Sequence, residues 1–166
     1  MLALGGLFIP EARESVEMRT EDELRELFSG MFDEFPNLKF VHTMFGGNWF
    51  AQQKLLTPKK GVKKEAMLRL DCDESDRITG YLQNNIFFDM THPASWGKDQ
   101  VECAIKVCGA DHVLFGTSFP VFYNWMSDGV AFVKTLDITD EQRELITSRN
   151  AVRLFNLPVE TPPAAM

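Results

Sequence analysis

Residues 109–120, which read GADHVLFGTSFP, decide the fold of this chain. Gly109 predicts the end of a helix, because glycine adopts the left-handed C′ position without a Cβ penalty. The apolar run at residues 113–115 is too short for a helix and rich in strand formers, so it predicts a buried strand. From Gly116 onward the chain leaves the sheet at the carboxyl end of that strand, where α/β folds carry their chemistry.

Three further strand-like runs precede this one, at residues 2–9, 38–42 and 86–90. Each is followed by residues with helical periodicity, and two capping boxes predict helix starts at Thr20 and Thr139. Strand–helix alternation repeated four times predicts an α/β fold with a parallel sheet. The predicted helices cover residues 20–35, 49–56, 64–70, 77–83, 99–108, 128–136, 140–148 and 150–157.

The composition is that of an ordinary globular protein. The chain has 166 residues, of which 45% are hydrophobic, enough for one domain with a packed core. We expect that domain over residues 1–157 and a disordered, Pro/Ala-rich tail over residues 158–166. The net charge of −7 argues against a nucleic-acid partner.

Cysteine usage and hydropathy predict a cytoplasmic protein. Cys72, Cys103 and Cys108 cannot all pair and lack a metal-binding CxxC spacing, so we expect reduced, buried thiols. No apolar stretch approaches the length of a membrane span, and the first residues lack the basic region of a signal peptide. A membrane partner is therefore not expected.

Four segments, taken in order, resemble the C-terminal half of the amidohydrolase-related family. Residues 34–42 (EFPNLKFVH) resemble the family's sixth strand with its lead-in, and residues 87–89 (FFD) resemble the seventh. Residues 113–120 resemble the eighth strand, and residues 150–155 (NAVRLF) resemble the terminal helix. The family comprises metal-dependent hydrolases and decarboxylases built on a (β/α)8 barrel. The resemblance therefore implies a parallel half-barrel, made of the last four βα units of a TIM-type barrel.

The same resemblance implies an incomplete metal site. The family's metal ligands are a His-x-His on strand one, a histidine on strand five and an aspartate on strand eight, and a histidine on strand six assists catalysis. Here Leu4 stands at the strand-five position and Ser118 at the position of the aspartate. His42 is the strand-six candidate, although the family more often reads His-x-Gly-Gly there. A catalytic zinc needs about three protein ligands, so we expect no metal on this chain alone and zinc or manganese only in a completed barrel.

Three residues are candidates for catalysis, each with a structural alternative. His42 ends a strand and would face the barrel mouth, or it is a buried, hydrogen-bonded histidine. Asp89 also ends a strand, and its carboxylate would act as an acid or bond the backbone of the next loop. Ser118 lacks a nucleophile elbow and a paired base, so a polar turn residue is the favoured interpretation.

Four residues in the carboxyl-side loops are candidates for binding a small ligand. Trp49, Tyr123 and Trp125 would form an aromatic pocket, or would equally pack into an interface. His92 would line the same mouth or cap its own loop. His112 stands where the family usually has arginine, at the amino end of its strand, where residues contribute to stability rather than catalysis.

A half-barrel of four parallel strands leaves two sheet edges unpaired and an apolar face uncovered. We therefore expect association into a homodimer, or with a separately encoded N-terminal half-barrel. Two functions follow. The chain is a non-catalytic half-barrel subunit or small-ligand binder, or it is an active hydrolase or decarboxylase of a small carboxylate or aromatic substrate when a partner supplies the metal ligands.

Overall fold

The structure is a computed structural model that describes residues 27, 29–47, 49–56, 75–117 and 124–158. Within these ranges the strands are β1 (Phe40–His42), β2 (Ile86–Asp89) and β3 (Val113–Leu114). The helices are α1 (Met31–Glu34), α2 (Trp49–Leu56), α3 (Ser75–Asn84), α4 (Pro93–Trp96), α5 (Lys98–Cys108), α6 (Trp125–Val133), α7 (Asp140–Glu144) and α8 (Asn150–Phe155). A π-helical segment, Leu145–Arg149, joins α7 to α8.

The three strands form one parallel sheet in the order β1-β2-β3. Phe40 pairs with Ile86 across the first pair of strands, and Phe88 pairs with Val113 across the second. This arrangement confirms the predicted α/β class with a parallel sheet. The predicted first strand, at residues 2–9, lies outside the described residues, and closure of the sheet into a barrel stays a prediction.

The sheet has two distinct faces, because side chains alternate along a strand and register partners share a face. One face is covered by helices, and its side chains join the hydrophobic core. This helix-covered face carries Phe40, His42, Ile86, Phe88 and Val113. The helices contribute to the same core Phe32 from α1, Ile78 and Tyr81 from α3, and Val101, Ala104 and Ile105 from α5.

The opposite face of the sheet carries Val41, Phe87, Asp89 and Leu114. Asp89 is the polar member of this set, and it lies at the carboxyl end of β2. The parallel register therefore places its carboxylate on the face turned away from the helical core.

The amino end of the sheet is fastened by buried amide side chains. The side-chain amide of Asn85 donates to the carbonyls of Pro36 (3.0 Å) and Leu38 (2.7 Å). The N–H of Phe40 donates to the carbonyl of Asn85 over 2.8 Å. These bonds attach the proline turn before β1 to the turn before β2, and they leave none of these polar groups unsatisfied in a buried position.

The terminal NAVRLF motif has a similar role at β3. Asn150 is fully buried, and its side-chain amide donates to the carbonyls of Ala110 and Val113, each over 2.7 Å. Arg153 donates to the carbonyl of Asp111 over 2.6 Å. The N–H of Phe115 donates to the carbonyl of Ile146 in the π-helical segment over 2.9 Å, which attaches that segment to the end of β3.

Two predicted helices differ in extent from the observed ones. The helix expected over residues 20–35 is not continuous, because Gly30 adopts a left-handed conformation (φ 78°) and α1 begins only at Met31. The helix expected over residues 128–136 begins three residues earlier, where the N–H of Asp128 reaches the carbonyl of Asn124. The helix predicted at residues 64–70, the capping box at Thr20 and residues 159–166 of the predicted tail lie outside the described residues.

The second capping box is confirmed. The N–H of Gln142 donates to the hydroxyl of Thr139 (3.1 Å), and the N–H of Thr139 donates to the side chain of Gln142 (2.9 Å). The prediction of buried thiols is wrong for Cys103, which is exposed because Val101 and Ile105 define the buried side of α5. In the described part of the chain, no helix is long and apolar enough to cross a membrane.

Candidate functional site

The carboxyl ends of the strands and the loops that follow them form the candidate site, which we call the carboxyl edge. It comprises residues 43–47 after β1, 89–92 at the end of β2, and 115–117 after β3. Parallel strands bring these three segments to the same end of the sheet, which is where TIM-type folds carry their active sites.

His42 does not lie with Asp89 at this edge. Its ring is half-buried, 6.0 Å from the ring of Phe40 and 6.1 Å from that of Phe88 on the helix-covered face. A histidine in the His-x-Gly-Gly form would stand two residues before Gly46, and that position holds Met44. The placement favours the buried-histidine alternative, and a catalytic role for His42 stays a prediction.

The loop after β1 is a tight left-handed turn. Met44 (φ 56°) and Phe45 (φ 51°) both adopt positive φ angles, as do Gly46 and Gly47, although the ψ of Gly47 (−107°) lies outside the left-handed helical region. A left-handed conformation costs a non-glycine residue about 1–2 kcal/mol, because its Cβ approaches the following carbonyl. The N–H of Gly46 donates to the carbonyl of Thr43 over 3.1 Å. The turn therefore holds two strained residues that other contacts must stabilise.

The carboxylate of Asp89 supplies one of those contacts. Its Oδ1 atom accepts hydrogen bonds from the N–H of Met44 (3.1 Å), the N–H of Thr91 (2.9 Å) and the hydroxyl of Thr91. Hydrogen bonds to an ionised acceptor are stronger than those between neutral groups. Among the described residues, nothing donates to Oδ2. Asp89 thus joins the loop after β1 to the loop after β2.

His92 follows this junction directly and is also strained. It adopts a left-handed conformation (φ 58°, ψ 46°) at the start of α4, ahead of Pro93. Its side chain is buried, and its carbonyl accepts the N–H of Ser95 over 2.9 Å. The backbone role in starting α4 matches the loop-capping alternative, and contact between His92 and a ligand stays a prediction.

The loop after β3 approaches the same junction closely. A Cβ added to Gly116 would lie 3.0 Å from the hydroxyl oxygen of Thr91 and 3.3 Å from Cγ of Asp89. Contacts this short are tighter than side chains normally tolerate, so the absence of a side chain at Gly116 lets β3 reach the junction. All three loops of the carboxyl edge therefore meet at Asp89 and Thr91.

Three aromatic rings, one of them in the strained turn itself, pack against one another. We call this set, Phe45, Phe50 and Trp96, the aromatic brace. Their centroids lie 6.0–6.1 Å apart in edge-to-face pairs, and Phe45 is fully buried. The indole N–H of Trp96 donates to the carbonyl of Thr91 over 3.3 Å. Edge-to-face pairs add about 0.5–1.5 kcal/mol each to the burial energy, so the brace offsets part of the backbone strain at Phe45.

The remaining candidates are placed only in part. Trp49 begins α2 and is 1% exposed within the hydrophobic core, which favours its packing alternative. Ser118 and Tyr123 lie outside the described residues. Trp125 begins α6, and its side chain lies outside the description. His112, at the amino end of β3, stacks on Phe87 at 4.8 Å, and its Nδ1–H donates to the carbonyl of Ile86 over 2.8 Å.

The described residues do not fit a family-type metal site. In the ranges described above, no three His, Cys, Asp or Glu side chains lie close enough together to hold a metal ion. His42 and Asp89 lie on opposite faces of the sheet, and Oδ1 of Asp89 is engaged by three hydrogen-bond donors. Zinc and manganese sites require converging nitrogen, sulfur or oxygen ligands. We derive no chemical step through a metal on this chain.

A cleft of about 360 Å³ lies elsewhere, between the helices and Phe88 on the helix-covered face of the sheet. Its walls include Gln53 from α2, Leu82 from α3, Val107 from α5 and His112 from the turn before β3. The catalytic and binding candidates at the carboxyl edge do not line this cleft. The carboxyl edge therefore stays the candidate site.

Sequence reasoning missed three contributors to this site: Met44, Thr91 and Gly116. Thr91 follows Asp89 by two residues, a spacing at which a carboxylate commonly bonds the backbone, and this signal was available. Gly116 directly follows the apolar strand segment, and glycine is a common residue where the backbone approaches another group closely. Nothing in the sequence predicts a left-handed Met44, because methionine has no preference for that conformation.

Comparison with known proteins supplies a family and a fold. A sequence model of the amidohydrolase family matches residues 15–157. A comparison with curated proteins finds no match.

Several solved structures resemble the chain. A 2,6-dihydroxybenzoate decarboxylase, in complex with 2,6-dihydroxybenzoate, has a TM-score of 0.68 and 24% identity over 86% of this chain and 42% of its own. A dihydroxybenzoic acid decarboxylase from Polaromonas sp. JS666, with manganese and 2-nitroresorcinol, has a TM-score of 0.60 and 21% identity over 82% of this chain and 39% of its own. 5-Carboxyvanillate decarboxylase LigW from Sphingomonas paucimobilis has a TM-score of 0.58 and 22% identity over 84% of this chain and 40% of its own. The chain thus spans about two fifths of the length of these structures, and the likeness at these identities concerns the fold.

Proposed function

Because the chain belongs to the amidohydrolase family, we propose that it supplies the C-terminal strands of an amidohydrolase-type barrel and does not catalyse a metal-dependent reaction on its own. In this proposal the carboxyl edge binds a small hydroxylated aromatic carboxylate. The metal ligands of an active site come from another polypeptide segment, and without it the chain acts as a half-barrel subunit or small-ligand binder.

The hydrogen bonding of Asp89 is the observation that carries this proposal. Its Oδ1 atom is committed to the N–H of Met44 and to both donors of Thr91. An oxygen that already accepts three hydrogen bonds has little capacity left to bind a metal ion. Position 44, where the His-x-Gly-Gly form has the histidine that assists catalysis, holds a methionine, whose thioether cannot transfer a proton.

The ligand class is supported by the similar structures and by the free oxygen of Asp89. Two of those structures hold a dihydroxybenzoate or a nitroresorcinol. Among the described residues, no donor reaches Oδ2 of Asp89, so this oxygen can accept a hydrogen bond from a phenolic hydroxyl of a ligand at the carboxyl edge. A bond of this kind to a charged acceptor contributes about 1.5–3 kcal/mol.

We further propose that the barrel is completed by a second copy of the chain or by a separately encoded N-terminal half-barrel. The described sheet ends in β1 on one side and β3 on the other. At β3, the carbonyl of Val113 and the N–H of Phe115 are already bonded to Asn150 and Ile146. A further strand would therefore pair with β3 only beyond Phe115. Light scattering at micromolar concentration tests the association, and a cooperatively folded monomer would contradict it.

An active hydrolase or decarboxylase is the second candidate function. It is favoured by the manganese ion in one similar structure, and it requires that a partner chain supply metal ligands. In that case Asp89 would contribute its free Oδ2 to the substrate, while its Oδ1 keeps the loops in place.

Binding and turnover, measured separately on the full chain, test these proposals. Calorimetry with 2,6-dihydroxybenzoate and 5-carboxyvanillate is expected to detect binding, and carbon dioxide release is expected to be absent with or without added manganese. Manganese-dependent release by the chain alone would contradict the first proposal. Release that appears only when an N-terminal half-barrel protein is added would support the second.

The variant His42→Phe is the matched control, because its ring keeps the contacts of His42 with Phe40 and Phe88 on the helix-covered face. Unchanged binding is expected. Loss of binding or turnover in this variant would show that His42 contributes to the functional site.

A further inference from the structure

We propose that Asp89 is a positioning residue: its Oδ1 atom fixes the left-handed turn after β1 against the loop after β2, and so sets the shape of the carboxyl edge. This goes beyond the proposed function and rests on it only for the identity of the ligand. A positioning residue of this kind needs an acceptor oxygen at one place. It does not need a carboxylate that transfers protons or binds metal.

The distribution of backbone strain points to this role. Among the described residues, the non-glycine residues with positive φ are Met44, Phe45, His92 and Asn156. The first three lie on the two loops that Asp89 joins, and Asn156 ends the terminal helix α8. Left-handed non-glycine residues persist only where surrounding contacts over-determine them, and they concentrate at functional sites. Asp89 lies at the centre of this strain.

The contacts of Asp89 account for the strain on both sides. Met44 is the first left-handed residue of its turn, and its N–H ends at Oδ1 of Asp89. Thr91 directly precedes left-handed His92, and its N–H and hydroxyl end at the same oxygen. One acceptor therefore orients the residue that enters each strained segment. Alanine at position 89 has no acceptor atom, and serine places its hydroxyl oxygen one bond closer to the backbone than Oδ1 of Asp89.

Gly116 extends the arrangement to the third loop. The small distances from its would-be Cβ to Thr91 and Asp89 show that β3 approaches the junction without room for a side chain. The position of the loop after β3 is therefore defined by contact with the same two residues. Residues 115–117 directly precede Ser118 in the chain. Asp89 therefore helps to position all three loops of the carboxyl edge.

An isosteric substitution separates positioning from chemistry. Asp89→Asn keeps an Oδ1 acceptor for all three donors and replaces only Oδ2, whereas Asp89→Ala removes the acceptor. If Asp89 positions the loops, hydrogen exchange of the Met44 and Thr91 amides rises about tenfold or more in Asp89→Ala and stays within about threefold in Asp89→Asn, since each lost bond opens a protected amide. Unchanged exchange at Met44 in Asp89→Ala would overturn the proposal.

Three further variants sharpen the test, and the two at Thr91 keep it informative if Asp89→Ala fails to fold. Thr91→Val removes only the hydroxyl donor and is expected to raise exchange at Met44 less than Asp89→Ala does, while Thr91→Ser restores protection. Met44→Gly adopts the left-handed turn without a Cβ penalty, so the loss of ligand affinity caused by Asp89→Ala is expected to be smaller in the Met44→Gly background. An equal loss in both backgrounds would overturn the proposal.

The readouts distinguish this proposal from the proposed function. If 2,6-dihydroxybenzoate does not bind the wild-type chain, the ligand assignment fails, while the exchange measurements still test the positioning role. If the ligand binds, weaker binding in Asp89→Asn with Met44 protection retained supports both the contact of Oδ2 with the ligand and the positioning role of Oδ1. Loss of Met44 protection in Asp89→Asn, which keeps the Oδ1 acceptor, would overturn the positioning role.

Discussion

The two ends of the sheet are built in opposite ways. At the amino end, the amides of Asn85 and Asn150 donate to four backbone carbonyls in relaxed turns. At the carboxyl end, one carboxylate oxygen collects three donors from two loops that contain left-handed Met44, Phe45 and His92. The hydrogen bonds at the amino end satisfy backbone carbonyls in turns without strained residues, whereas those at the carboxyl end stabilise loops with strained backbone conformations.

The two ends of the sheet therefore differ in what their contacts stabilise. In TIM-type folds the amino end serves stability and the carboxyl end serves function. The strain at Met44, Phe45 and His92 would relax unless the loops needed a particular shape, because each left-handed residue costs free energy. The carboxyl edge thus gives up stability for a fixed loop geometry, and the amino end compensates with saturated hydrogen bonds.

The largest effect is expected at Asn150. Asn150→Ala leaves the carbonyls of Ala110 and Val113 without partners in a buried position and opens a small cavity, so the free energy of unfolding should fall by about 3 kcal/mol in urea titration. Asn84→Ala is the matched control, because Asn84 is exposed and donates only to the carbonyl of Gly80 in its own helix. A loss at Asn84 as large as that at Asn150 would contradict the contrast between the ends.

A smaller effect is expected at Gly116. Gly116→Ala places a Cβ against Thr91 and Asp89, and the overpacking should lower stability by about 1–3 kcal/mol and raise hydrogen exchange at Met44. Gly80→Ala is the control, since among the described residues no atom outside its own stretch of α3 lies within 4 Å of its would-be Cβ, and it should raise stability by up to about 1 kcal/mol. A neutral Gly116→Ala would show that the three loops do not meet tightly.

The smallest of these effects is expected at His112. His112→Phe keeps the stacking on Phe87 and removes the bond to the carbonyl of Ile86, so stability should fall by about 1 kcal/mol. Ligand binding at the carboxyl edge should not change. Weaker binding of 2,6-dihydroxybenzoate in this variant would show that the two ends are coupled, contrary to the comparison.

The fold could be predicted from the sequence because its signals are local. Short apolar runs at residues 86–90 and 113–115, glycine stops and the capping box at Thr139 each fix one element, and their alternation indicates a parallel sheet. The extent of α1 could not be predicted, because glycine within a helical pattern is often tolerated, and only the left-handed φ of Gly30 reveals the break.

The candidate site was less predictable. The position of His42 and Asp89 at strand ends made both of them candidates. Which face of the sheet each side chain occupies depends on the strand register, because a shift of one residue moves the side chain to the other face. The bond from Met44 to Asp89 joins residues 45 apart in the sequence, so no local pattern contains it, whereas the bonds from Thr91 follow a local two-residue spacing. Left-handed methionine and phenylalanine arise from those contacts, because neither side chain favours that conformation by itself.

Metal content of the purified full chain tests the central claim most directly. After incubation with manganese or zinc and removal of unbound ions, elemental analysis per chain gives the stoichiometry. We predict well below one ion per chain, because Oδ1 of Asp89 is engaged by Met44 and Thr91 and His42 lies on the opposite face of the sheet. One ion per chain, lost together with ligand binding in Asp89→Asn, would contradict the account and make Asp89 a metal ligand.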